Sequence, residues 1–119
     1  MPIAADLLQR LDRVSEITLG VKGRKSGKDI LRPVWFVHEG NTVNLLPVLG
    51  SDTNWYKNLL VDPTLMISVN GVEIPAARGK AITDKNIVDD IIKNFKTKYG
   101  EEDMKKYYTK LDVAVEVPL

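Results

Sequence analysis

The chain contains no cysteine. Disulfides, thiolate metal centres and a thiol nucleophile are therefore excluded, and the composition fits an intracellular protein, with the cytoplasm as the expected location. There is one histidine, His38. Two-histidine metal sites are impossible, no metal site is expected, and no serine or carboxylate pattern around His38 suggests a hydrolytic triad. Its expected role is structural or solvent-facing, at a hairpin turn. No apolar run approaches the roughly 18 residues of a membrane span. Asp6, Arg10, Asp12 and Arg13 interrupt the N-terminus before a secretory pattern forms, so no leader is expected. Neither sign of charge dominates: 17 Lys and Arg stand against 16 Asp and Glu, which leaves no global field to recruit nucleic acid or an anionic membrane. Walker-type phosphate loops and dinucleotide fingerprints are also missing. An enzyme with so few acid–base groups would rely on a bound organic cofactor for its reactive chemistry.

What is present is one core's worth of chain and one concentrated patch of charge. At 119 residues and 44% hydrophobic composition, residues 1–119 are expected to form a single domain. Within it, Gly23-Arg24-Lys25-Ser26-Gly27 places Lys22, Arg24, Lys25, Lys28 and Arg32 in a short span against one carboxylate, Asp29. Glycines at both ends let the backbone take positive φ and aim N–H groups inward as a small anion nest, to which Ser26 adds a hydroxyl. Two readings stand side by side: a solvated basic hairpin turn, or an anchor for the phosphate tail of a cofactor.

Hydrophobic periodicity places the elements. Ile3, Leu7, Leu8, Leu11 and Val14 mark an opening amphipathic helix, and Ile17, Leu19 and Val21 an alternating strand. Residues 31–37 form a continuous strand run, residues 38–41 turn it, and residues 42–48 return. Asp52 or Thr53 is expected to cap a short helix carrying Trp55, Tyr56, Leu59 and Leu60, stopped by Pro63. Leu65, Ile67 and Val69 alternate up to Asn70-Gly71, a type I′ hairpin signal, and Val72, Ile74 and Ala76 alternate away from it. Thr83 is the expected cap of the longest helix (Ile87, Val88, Ile91, Ile92, Phe95), which closes near Gly100. A short helix over residues 101–108 and a strand through Val113, Val115 and Val117 complete the chain. The fold class is α+β, mainly β: six antiparallel strands in a small, partly closed barrel with flanking helices.

Residues 19–27 (Leu-Gly-Val-Lys-Gly-Arg-Lys-Ser-Gly), then Arg32-Pro33-Val34-Trp35-Phe36, then Asn54-Trp55-Tyr56-Lys57-Asn58-Leu59, then Asp62-Pro63, occur in an order that resembles the deazaflavin-dependent nitroreductase family. These are split β-barrel oxidoreductases that use coenzyme F420 and are related to the FMN-binding split barrels. The resemblance runs from about Glu16 to the C-terminus. It implies a hydride donor lying across the barrel with its phosphate tail near the basic turn. Lys25 matches the family's phosphate-contacting lysine, with Arg24 and Ser26 as its neighbours; Lys22, Gly27 and Arg32 complete the anion-binding set. Gly50 and Ser51 are implied ring contacts, and Tyr56 and Asn58 polar contacts, while Trp55 is expected to be packing. Trp35 and Tyr107 are the substrate-side candidates, and no catalytic residue is assigned.

Two departures matter. Ile30 stands where relatives often carry a basic residue, and residues 46–51 (Leu-Pro-Val-Leu-Gly-Ser) replace a more polar loop, so FMN, haem or another planar ligand is an alternative to F420. The implied function is reduction of a small quinone-like or nitroaromatic acceptor by reduced F420 or flavin. The alternatives are a non-catalytic flavin-binding barrel and a nucleic-acid-binding barrel; near-zero net charge, and few aromatics outside the core pattern, argue against the latter. The resemblance implies a homodimer, since split barrels of the flavin-binding kind often pair and complete their cofactor clefts at the interface. Residues 31–37 are also more apolar than a half-solvated strand requires, so their outer face is expected to meet a second subunit or a helix, the N-terminal helix being the alternative cover.

Overall fold

The computed structural model describes residues 9, 11, 13–69 and 71–119. Among them the chain forms a mixed α+β fold of two four-stranded antiparallel sheets and three α-helices. The first sheet contains β1 (Ile17–Lys22), β2 (Asp29–Val34), β5 (Thr64–Val69) and β6 (Val72–Arg78), in the order β2-β1-β5-β6. The second contains β3 (Val37–Glu39), β4 (Thr42–Leu45), β7 (Lys80–Ile82) and β8 (Ala114–Pro118), in the order β3-β4-β8-β7. The helices are α1 (Asn54–Val61), which follows a 3-10 turn (Gly50–Asp52), α2 (Lys85–Tyr99) and α3 (Glu101–Tyr107).

Period-2 alternation sends Ile17, Leu19 and Val21 of β1 into the same core as Val43 and Leu45 of β4 and Val115 and Val117 of β8. α1 seals this core with Trp55, Tyr56 and Leu59. A second cluster lies on the other face of the second sheet, where Val88, Ile91 and Phe95 of α2 meet Val37, Leu46 and Ala114. β8 thus gives Val115 and Val117 to one core and Ala114 to the other, while Glu116 is half-buried and Pro118 exposed.

Eight strands replace the expected six, because at two places the chain changes sheets with no helix between the strands; a third change, from β4 to β5, passes through α1. The run 31–37 is not one strand: β2 ends at Val34 in the first sheet, Trp35 and Phe36 cross over, and β3 begins at Val37 in the second. Phe36 is fully buried at the crossing. The other change falls between β6 and β7 at Gly79, where a Cβ would lie 2.6 Å from Leu59 Cδ1 and 3.0 Å from Leu65 Cδ2. Only a glycine lets the backbone pass that close without displacing its neighbours.

Other boundaries shift for local reasons. β4 stops at Leu45 rather than residue 48, because residues 46–49 lead into the 3-10 turn. His38 sits within β3 opposite Val43, and Gly40 (φ +58°) makes the turn. Thr53 precedes α1, but its Oγ1 accepts the Leu49 N–H at 2.8 Å instead of capping the helix. Asp84, one residue beyond Thr83, caps α2 by accepting from the Asn86 and Ile87 N–H groups. Gln9, Leu11 and Arg13 are helical and Leu11 is buried; Ile3, Leu7 and Leu8 lie outside the described residues. So does Asn70, although Val69 and Val72 pair across the expected hairpin and Gly71 has φ +82°.

Candidate functional site

Strand β2 is an edge strand, and its inner face organises the site. Its register with β1 places Arg32 opposite Leu19 and Val34 opposite Ile17, so Arg32 points to the same side as core residues. A cavity of about 450 Å³ opens beside it, with Val34, Trp35, Val48, Trp55, Tyr107 and Tyr108 in its wall. This lies within the roughly 300–1,000 Å³ typical of small-molecule sites. A second cavity of about 310 Å³ lies at the basic turn, lined by Arg24, Lys25, Ser26, Ile30, Arg32 and Asn58. Arg32 lines both, and its Nε is buried without a hydrogen-bond partner among the described residues. An inward-pointing charge on an edge strand also discourages edge-to-edge pairing. That role does not require an orphaned donor, which costs about 1–3 kcal/mol.

The turn is built by its own short bonds. The Gly23 N–H donates to the Lys28 carbonyl at 2.9 Å and the Gly27 N–H to the Gly23 carbonyl at 2.8 Å. The Ser26 hydroxyl accepts the Lys28 N–H at 3.2 Å. Gly23 is needed here, since a Cβ would come within 2.7 Å of Ser26 Oγ. Asn58, buried on α1, accepts from both the Arg24 N–H (3.2 Å) and the Arg24 guanidinium (2.7 Å) through Oδ1. Four of the turn's N–H groups are consequently engaged within the protein, and the nest read from the glycines is smaller than expected. Lys25 and Ser26 remain turned to the cavity beside Arg32. Lys22 pairs with Asp29 at 3.4 Å.

Asn58 thus holds the turn from beneath. An Asn58→Leu variant, matched in size but without the acceptor, is expected to lose about 1–3 kcal/mol of stability and to release the Arg24 amide to solvent exchange. Hydrogen exchange by NMR would check this, and an unchanged Arg24 protection factor would refute it.

The aromatic wall has equally specific support. Trp35 stacks on Tyr99 with ring centroids 4.2 Å apart and planes 6° from parallel, and meets the edge of Tyr107 at 5.4 Å. Phe95 packs against Tyr99 and Tyr108 at 5.7 and 6.0 Å. The Tyr99 hydroxyl accepts the Phe36 N–H at 3.0 Å and donates to the Ser15 carbonyl at 2.7 Å, with the Phe36 carbonyl at 2.9 Å. Burial pushes the Tyr99 phenol up to about 12 and raises Tyr108 as well, so both stay protonated near neutral pH. Lys98 donates to the Phe36 carbonyl at 2.9 Å and lies 3.6 Å over the Phe36 ring. The Trp35–Phe36 crossing is therefore pinned from several sides.

Of the residues singled out from sequence, Arg24, Lys25, Ser26, Arg32 and Asn58 surround one cavity, and Trp35 and Tyr107 join Arg32 in the other. Lys22, Gly27, Gly50, Ser51 and Tyr56 line neither. Gly50 and Ser51 face Asp112 and Lys110, and Tyr56 is buried in the inter-sheet core, where burial raises its pKa. Trp55 is core, as expected, yet also borders the larger cavity. Tyr108, which the family resemblance groups with Tyr99 and Tyr107 in a region of substrate-facing aromatics, lines the larger cavity beside Tyr107, whereas the role of Asp112 has no signal in the sequence. Asp112 meets Ser51 across 61 residues of sequence. Among the described residues no group of three or more His, Asp or Glu side chains is placed to hold a metal ion, and no helix is long and apolar enough to cross a membrane.

An apolar, aromatic slot joined through Arg32 to a small cationic pocket suits a flat ring system carrying an anionic tail. The class is a mixed α+β fold of two antiparallel sheets, which several solved structures share. Similar solved structures include an F420-H2-dependent reductase (TM-score 0.67, 19% identity, covering 87% of this chain and 93% of that one). They also include a pyridoxamine 5′-phosphate oxidase candidate from Listeria innocua (0.69, 16%, 94% and 89%) and the haem storage protein HutZ from Vibrio cholerae (0.71, 13%, 99% and 90%). No curated protein matches the sequence. The chain belongs to the family described as uncharacterized protein conserved in bacteria (DUF2255), whose model matches residues 7–116.

Proposed function

We propose that this protein is an oxidoreductase of the split β-barrel kind, related to the deazaflavin-dependent nitroreductases. It binds F420, or alternatively FMN, with the ring in the aromatic slot and the phosphate at the basic turn. The observation that carries this reading is Arg32, which lines both cavities with a buried Nε that has no hydrogen-bond partner among the described residues. Lys25, Ser26 and Arg32 would hold the phosphate, and Trp35, Val48 and Tyr107 would wall the ring. Such a coenzyme supplies hydride chemistry that the slot's own side chains lack. The acceptor would be a small quinone-like or nitroaromatic molecule, which gains the two electrons that the reduced coenzyme loses.

The test is to offer the purified protein reduced F420, reduced FMN and NADPH separately, with a panel of quinones and nitroaromatics. Oxidation of reduced F420 or FMN that depends on an acceptor is expected. Saturable binding without oxidation across the panel would instead support a carrier, a reading favoured by the similarity to a haem storage protein. The nucleic-acid reading is weaker, because Lys22 is paired with Asp29 and Arg24 is held by Asn58.

Assembly belongs to the same proposal. Most of the run 31–37 is covered within the chain, but Leu31, on the outer face of β2, is 57% exposed, and it offers apolar surface to a second copy. Sedimentation equilibrium is expected to show mass above 13.3 kDa at high concentration; a mass that stays there would rule the dimer out.

A further inference from the structure

Two stretches of the larger cavity's wall come from distant parts of the chain. Leu46 and Val48 belong to the segment between β4 and α1, and Tyr107 and Tyr108 to the end of α3. The segments just beyond them are fastened together. The Thr109 N–H donates to the Val48 carbonyl at 3.1 Å, and Leu49 and Lys110 form a parallel bridge. One carboxylate closes the joint: Asp112 accepts the Ser51 N–H at 2.9 Å on Oδ1 and the Ser51 hydroxyl at 2.6 Å on Oδ2. Lys110 lies 3.7 Å from the same carboxylate and 3.1 Å from Asp52.

The backbone is shaped for this contact. Gly50 has φ +55°, and a Cβ there would collide with the Asp112 carboxylate and lie 3.0 Å from the Lys110 carbonyl oxygen. A left-handed glycine placed where any side chain would expel the carboxylate is a feature that Asp112 explains. Surface ion pairs alone stabilise little. A carboxylate accepting an N–H and an O–H from one residue is geometrically more specific than a charge pair.

We propose that Asp112 is a positioning residue for the cleft: it staples the loop carrying Leu46 and Val48 to the segment following Tyr107 and Tyr108, and so fixes the width of the slot. The proposal rests on reading that slot as the ring pocket. It assigns Gly50 and Ser51 a part in ring binding through wall geometry, without direct contact to the ring.

The experiment compares wild type with Asp112→Asn and the milder Ser51→Ala. Amide exchange is measured at Ser51 and Thr109 in the ligand-free protein, and affinity is measured for FMN and for riboflavin, which lacks the phosphate. Both variants are expected to raise exchange at the two amides together. Both should also weaken FMN and riboflavin by a common factor of about three to ten, because the wall is altered and the phosphate turn is not. Faster exchange confined to Ser51, or affinities for both probes that do not move, would overturn the proposal. If wild type binds neither of these flavins nor F420, the ring-pocket reading falls and with it the positioning role. A loss of FMN affinity without a matching loss for riboflavin would place the effect at the turn and also overturn it.

Discussion

Replacing Phe95 with alanine is expected to lower the unfolding free energy by about 3–5 kcal/mol, the usual cost of emptying a fully buried aromatic site. Phe95 is completely buried on α2 and touches both Tyr99 and Tyr108. Tyr99 in turn carries the Trp35 ring and holds the Phe36 backbone. The lost volume therefore sits directly behind the aromatic wall, and ligand affinity should fall in variant protein that is still folded. Urea titration followed by tryptophan fluorescence measures the first effect. A loss below about 1 kcal/mol would show that α2 and the wall repack freely around the gap.

Arg32→Met should behave in the opposite way for stability. Methionine fills much of the same space and removes a buried donor that has no partner among the described residues, so stability is expected to hold or rise slightly. Affinity for a phosphate-bearing flavin should nevertheless fall about 10–100-fold, the equivalent of one charge-assisted hydrogen bond of roughly 1.5–3 kcal/mol. Lys25→Ala, at an exposed position, should cost less, and more of its effect should vanish as salt is added. Paired thermal melts and binding titrations would check this. Stability lost in step with affinity would make Arg32 a structural residue of the edge strand.

Sequence reading served best where the determinant was local. The strand through Ile17, Leu19 and Val21, the hairpin flanking Gly71 and the apolar stripe of α2 all follow from short-range periodicity. The basic turn was legible as a turn, and its residues do converge on a cavity. Sheet changes were not legible. A strand that leaves one sheet at Val34 and enters another at Val37 keeps its apolar composition, and only the long-range pairing of β3 with β4 separates the two. The same limit hid Asn58 as the support of Arg24, 34 residues away, and Asp112 as the partner of Ser51. A side chain's own identity announces that it can accept a hydrogen bond, whereas the donor it meets depends on the completed fold.

If one ligand spans the aromatic slot and the cationic turn, with Arg32 at the join, a visible-absorbance titration with F420, FMN and riboflavin at low and at high salt tests it most directly. A saturable spectral shift is expected with F420 or with FMN, and riboflavin, which lacks the phosphate, should bind at least about tenfold more weakly than FMN at low salt, the gap narrowing as salt is added. Equal affinities for FMN and riboflavin at low salt, or no spectral shift with any of the three, would contradict this reading.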